Sequence, residues 1–263
     1  MKTALFMLIN KIISKAGVVM IPVRELGNRT HLEDNFGLLE HDLLRLKEAS
    51  NGGGLRQHLL KNNMTRWLEI GCGGTLEDNF HYIDVFPEGI VDPRARNHYS
   101  RLDIVHATTR DLEAMGKFDL IRMQHVFEHF IPEDGEQVLK KCGSLLKPGG
   151  YILISTPDLQ IHARTYLSSG YKNNPHMKSW NESFAYQRIP EDAPDSFHFS
   201  VFAHSLTYER HLWCYDFDGL RYILNKTGLF GDIEELKIDH PFATFPFTHN
   251  RPDEDVCVLA RRK

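Results

Sequence analysis

The stretch Trp67 to Phe86, WLEIGCGGTLEDNFHYIDVF, places Gly71, Gly73 and Gly74 directly after one apolar run and an acid, Asp84, near the end of the next. Glycines after a buried strand let the backbone turn tightly and approach a ligand without an intervening side chain. In an open parallel sheet that turn lies at the strand's carboxyl end, where ligands bind near a reversal of strand order. The stretch therefore predicts a nucleotide-type site on a parallel α/β sheet. A dinucleotide fingerprint needs a third glycine and an acid about 20 residues on. Here Leu76 stands at the third position and Asp84 arrives much sooner, while an acid at that place still suits a ribose diol.

The downstream pattern agrees. Short apolar runs, RWLEI, HYIDVF, RLDIVH, FDLIRM and YILIST, alternate with helical or loop segments, which predicts a mostly parallel sheet with helical crossovers. A helix is expected over 133–146, stopped by Lys147-Pro148-Gly149-Gly150. Another is expected over 217–226, with strands over 232–238 and 256–260. Residues 1–66 read as a helical N-terminal extension with a leucine stripe ending near Asn51-Gly52-Gly53-Gly54, and 67–263 as the main domain. Residues 158–215 form a long insert rich in Tyr, Trp, Phe and His, read as a substrate-side cap.

At this point the chain resembles the class I S-adenosylmethionine-dependent methyltransferases. Glu69-Ile70-Gly71-Cys72-Gly73-Gly74 is similar to the first family motif, Asp84 to the ribose-binding acid, Phe118-Asp119-Leu120-Ile121 to the fourth strand, and Leu145 to Gly150 to the turn before the fifth. The resemblance implies a Rossmann-like sheet with an antiparallel last strand, and S-adenosylmethionine held by Glu69, Gly71, Cys72, Gly73, Asp84, Thr108 and Gln124. Thr108 stands where an adenine-side acid is often found, with Asp103 early in the same segment. The implied chemistry is in-line methyl transfer to a nucleophile, for which the protein supplies alignment, desolvation and proton removal.

Gln124-His125-Val126-Phe127-Glu128-His129 follows the fourth run. If it begins a helix, His125, Glu128 and His129 share one face, and two imidazoles with a carboxylate suit Zn, Mn or Fe better than Mg. The string also matches a zinc-peptidase pattern with Glu128 as general base, but its position at the mouth of a cofactor crevice opposes that reading. Metal-dependent O-methylating branches of the family carry Glu-x-x-Glu-His here and a later histidine. His125 replaces the first Glu, and His211 resembles the later ligand. The resemblance thus implies a divalent metal on His125, Glu128, His129 and His211; without a metal, His125 or His129 is the expected general base. Asp158 faces the acceptor or caps a helix.

The acceptor expected from the resemblance to surface-polysaccharide methyltransferases is a sugar hydroxyl, with a quinol, another small molecule or an RNA 2′-hydroxyl as alternatives. A non-catalytic S-adenosylmethionine-binding domain is the alternative of a different class. The net charge of -4 supplies no basic field for duplex nucleic acid. Four scattered cysteines suit a reducing cytoplasm. Residues 3–19 carry an apolar helical stripe, Leu5, Leu8, Ile9, Ile12, Ile13 and Ala16, that permits peripheral membrane contact or packing on protein. Composition sets no oligomeric state.

Overall fold

A computed structural model describes residues 54–72, 80–86, 98–168, 192–203, 211–244, 247–249, 251 and 254–263. The N-terminal stripe, its membrane contact, Gly73, Gly74 and most of the aromatic insert lie outside the described residues.

Seven strands form one sheet: β1 (Trp67–Ile70), β2 (Phe80–Asp84), β3 (Tyr99–Arg101), β4 (Phe118–Gln124), β5 (Leu146–Pro157), β6 (Phe230–Glu235) and β7 (Asp255–Arg262). Their order is β3-β2-β1-β4-β5-β7-β6. The first five are mutually parallel, and β7 runs antiparallel between β5 and β6. This is the expected Rossmann-like sheet with an antiparallel last strand. Chain direction across the sheet reverses at β1, so the crevice between β1 and β4 is its switch point.

The helices are α1 (Gly54–Lys61), α2 (Thr109–Met115), α3 (Pro132–Leu145), α4 (Leu159–Leu167), α5 (Asp195–Ala203) and α6 (Phe217–Lys226). Pro132 opens α3 where a missing N–H costs nothing, and Leu139, Cys142 and Leu145 turn its apolar side to the sheet. Leu68, Ile121, Ile152 and Val258 meet α3 and α6 on one sheet face. Trp67, Leu120, Leu153 and Leu259 pack with α1 and Phe247 on the other. Alternation along each central strand thus buries both faces.

Three expected boundaries move. The third strand is Tyr99–Arg101, not the 101–106 run, because the Asp103 carboxylate accepts from Val105 N at 2.9 Å and pairs with His106 Nδ1 at 2.7 Å, closing a turn. The sixth ends at Glu235 and is bulged between Gly231 and Glu234, with Asp232 at φ 47°. The Pro-Gly-Gly turn is a kink inside β5, which already pairs at Leu146, and Gly149 takes φ 76° there. Phe217–Lys226 is helical as expected. Within the insert, α4 and α5 meet through His162 stacked on Phe202 at 3.7 Å and Tyr166 on Phe199 at 4.8 Å. The cysteines form no disulfide. Among the described residues, no helix is long and apolar enough to cross a membrane.

Candidate active site

The turn after β1 is built from backbone. Gly71 takes φ 73°, and its N–H donates to Ile83 O at 2.9 Å, which draws the turn against the end of β2. A Cβ at Gly71 would lie 2.3 Å from Val126 Cγ2, so the residue after His125 already fills the space beside it. Glycine is required here by handedness and by this packing, not only by the approach of a ligand. Asp84 ends β2 and is buried; its carboxylate accepts from Val85 N at 2.7 Å, while Tyr99 Oη and Leu102 N both donate to its carbonyl. These bonds hold the carboxylate beside the glycine turn, where donor hydroxyls of a ribose fit its acceptor oxygens. Cys72 is buried against Trp67 and Phe80.

Glu69, expected at the cofactor, is buried in β1. Its carboxylate forms a buried ion pair with Arg122, whose guanidinium lies 4.3 Å from the Phe80 ring centroid and donates to Phe247 O at 2.9 Å. Thr108 caps α2, its hydroxyl accepting from Asp111 N at 3.3 Å in a reciprocal capping box. Gln124 ends β4 with Nε2 3.4 Å from Phe247 O. Asp158 caps α4, accepting from Gln160 N at 2.8 Å.

The second group lies beyond β4. The expected helical face does not form: His125 adopts φ 54° and a single 3₁₀ turn, Phe127–His129, follows. A positive φ on a non-glycine residue costs on the order of 1–3 kcal/mol and is retained where the surroundings over-determine it. His125 N donates to Ser155 O at 2.9 Å, and its ring swings toward β7, with Nε2 3.1 Å from the Asp255 carboxylate and Nδ1 3.3 Å from Glu128 Oε1.

Consequently the four expected metal donors do not form one set. Glu128, His129 and His211 offer ligand atoms within 4.8 Å of one another, whereas His125 groups with Glu254 and Asp255. His211 comes from the far end of the insert and is anchored because Leu212 N and Trp213 N both donate to Glu128 O, at 2.7 and 3.1 Å. The His129 and His211 rings stand edge to face with centroids 5.0 Å apart.

Electrostatics separates these groups. Burial, then the nearby His129 and His125, pushes His211 down to about 3, so its imidazole is neutral across the physiological range. Burial raises the Glu128 carboxyl against the pull of His125. Burial and the Arg251 charge hold His125 below its ordinary value, against the pull of Glu128. The His125 ring thus stands between two carboxyl groups, with Nε2 toward Asp255 and Nδ1 toward Glu128. Both Glu128 oxygens are buried; Oε1 faces His125 Nδ1 at 3.3 Å and Oε2 makes no hydrogen bond. Both ring nitrogens of His125 face carboxyl groups, and burial makes the His211 imidazole a weak base. The donor types of Glu128, His129 and His211, one carboxyl and two imidazoles with ligand atoms within 4.8 Å of one another, do fit a divalent cation.

A methyltransferase-domain family model matches residues 31–229. The chain belongs to the S-adenosylmethionine-dependent methyltransferases. This methyltransferase is 30% identical over 115 residues to a ubiquinone biosynthesis O-methyltransferase of Coxiella burnetii, covering 39% of the chain and 48% of that protein. It is 32% identical over 103 residues to the enzyme of the same name from Xanthomonas axonopodis, covering 35% and 42%. The chain thus matches less than half the length of these relatives. Among solved structures it resembles the plantazolicin methyltransferase BpumL with S-adenosylhomocysteine at 15% identity, TM-score 0.48 and coverage of 85% and 86%. It also resembles the N-methyltransferase NodS of Bradyrhizobium japonicum at 15% identity, TM-score 0.44 and coverage of 91% and 95%.

Sequence reasoning missed Asp255, Glu254 and Arg251 as neighbours of the methyltransferase's site. Burial opposes it, yet the Glu254 and Asp255 carboxylates hold Arg251 above its ordinary value, and Arg251 pairs with Glu254 at 3.1 Å. The acid-rich Arg251 to Asp255 stretch leading into an apolar strand was the available signal.

Proposed function

We propose that the protein transfers the methyl group of S-adenosylmethionine to a hydroxyl, and that Glu128, His129 and His211 hold a divalent cation at the acceptor side. The observation that carries this reading is the buried Glu128 carboxyl beside the His129 and His211 imidazoles, with Oε1 facing only histidine rings and Oε2 making no hydrogen bond. A buried polar group left unpaired costs about 1–3 kcal/mol, and more when charged, so an ion that ligates it removes a standing penalty. A bound cation lowers the pKa of a coordinated hydroxyl and spares the protein a strong base. Asp84 and the Gly71 turn hold the cofactor at the other side of the β1–β4 crevice, and the rings of His129 and His211 orient the acceptor against it.

The relatives' name supports O-methylation in general. For the acceptor, a cleft of about 500 Å³ is lined by Asp158, Asp218, Glu235, Asp239 and Asp255, with Arg164 and Lys237 as its cations. The excess of acids over cations accepts hydrogen bonds from hydroxyls and disfavours a polyanion, which supports a saccharide hydroxyl over an RNA 2′-hydroxyl. A quinol is the second acceptor class, supported by the relatives alone.

The test assays purified protein with S-adenosylmethionine and panels of saccharides and quinols, with Mn²⁺ or excess chelator. Chelator and Glu128→Gln are each expected to reduce methyl transfer to background while the fold is kept. Full activity in excess chelator contradicts the metal role, and transfer to quinols alone contradicts the saccharide.

A further inference from the structure

Asp255 opens the antiparallel strand β7, and pairing with Pro157 sets it at the carboxyl end of the sheet, 130 residues from His125 in sequence. Its side chain is fully buried and meets His125 Nε2 at 3.1 Å, and the other ring nitrogen of His125 meets Glu128 at 3.3 Å. The three groups form one line, carboxylate, imidazole, carboxyl, that runs from the last strand to the site.

The line is held at every joint. Arg251 O accepts from the backbone N–H groups of both Glu254 and Asp255, at 3.1 and 3.0 Å, and the Arg251 guanidinium pairs with Glu254. Glu254 O accepts from Asp158 N at 2.7 Å, which ties the same corner to the end of β5. His125 is pinned by its own N–H to Ser155 O and by its left-handed backbone. A ring fixed at both nitrogens and at its backbone has one available orientation. Carboxylates that hold a histidine tautomer in this way commonly set the direction of the group on the far side.

Resting on the metal reading above, we propose that Asp255 is a positioning residue: through the His125 ring it fixes the direction of the Glu128 carboxylate toward His129 and His211. Asp255 touches neither acceptor nor cofactor in this role. Nε2 of His125 is held by Asp255, and the proton shared between its Nδ1 and Glu128 Oε1 engages that oxygen, so the other Glu128 oxygen is left to a cation. The Arg251 guanidinium pairs with Glu254, which leaves Asp255 to face His125, and this second group acts as a support for the first.

The experiment compares wild type with Asp255→Asn, and reads three quantities: the His125 ring tautomer by ¹⁵N NMR, Mn²⁺ affinity by titration, and S-adenosylmethionine affinity by calorimetry. Wild type is expected to hold the Nε2–H tautomer. Asp255→Asn is expected to lose that single tautomer and to weaken Mn²⁺ by about 10–100-fold, the usual effect of removing a supporting hydrogen-bond partner. Its S-adenosylmethionine affinity is expected to stay within about twofold of wild type, because the cofactor contacts the other side of the crevice. An Nδ1–H tautomer in wild type overturns the proposal without any variant being folded, and so does an Asp255→Asn protein that keeps both tautomer and Mn²⁺ affinity. If wild type binds no Mn²⁺, the metal reading falls, and the tautomer shift between the two proteins alone decides the role of Asp255.

Discussion

The glycine turn after β1 and the histidine–carboxylate group after β4 share one end of the sheet but are made in different ways. The turn is backbone: a positive φ at Gly71, one N–H to Ile83 O, and Val126 in the space where a side chain would be. The group after β4 is side chain, and its members come from the residue following β4, the 3₁₀ turn, the end of the insert and the start of β7. A site of the first kind depends on a few consecutive residues. One of the second kind depends on the strand order that brings distant residues together.

The largest expected effect breaks the first region. Gly71→Ala sets a Cβ 2.3 Å from Val126 Cγ2 at φ 73°, and should abolish S-adenosylmethionine binding measured by calorimetry. The strain alone should cost about 1–3 kcal/mol in denaturant unfolding. Unaltered affinity would show that the turn is not the cofactor's seat. The double variant Gly71→Ala/Val126→Ala, which clears the contact but not the handedness, should recover only part of the loss.

A smaller effect sharpens the contrast by pH. His211 and His249 are pushed by burial first, to about 3 and about 4, whereas an unfolded histidine titrates near 6.5. The unfolded chain therefore takes up protons that the folded one refuses. Stability is complete above about pH 6.5 and falls as pH drops toward the folded values, by up to about 2 kcal/mol per histidine between pH 7 and 5. Glu128, raised in the folded state, acts with the opposite sign above its ordinary value of 4.5. Thermal midpoints across pH 5–7 should fall with acidification, and His249→Gln, which keeps a donor for Leu236 O, should flatten that slope. An equal slope in the variant would show that His249 is not titrating in the unfolded chain alone.

The same contrast explains what the sequence made legible. Strands β1, β2, β4 and β5 stand out because both faces are buried, which forces largely apolar runs such as Ile152–Ile154. Strand β3 did not, because Tyr99-Ser100-Arg101 is a three-residue edge strand running from buried Tyr99 to exposed Arg101, while the apolar residues after it belong to a turn closed by Asp103. Gly71 and Asp84 announced themselves by spacing within a single turn. The set after β4 did not divide correctly, because a left-handed His125 cannot be read from His-x-x-Glu-His and because Asp255 reaches His125 only through antiparallel pairing with β5. Glu69 shows the converse: motif position suggested a ligand contact, and its carboxylate is in a buried pair with Arg122 from the neighbouring strand.

The most direct measurement is the S-adenosylmethionine affinity of three proteins in parallel: wild type, Asp84→Ala and Glu128→Gln. The expected result is that Asp84→Ala loses binding, whereas Glu128→Gln binds the cofactor like wild type but transfers no methyl group. Full cofactor binding by Asp84→Ala, or its loss in Glu128→Gln, would contradict the division of the crevice into a backbone-built cofactor side and a side-chain-built acceptor side.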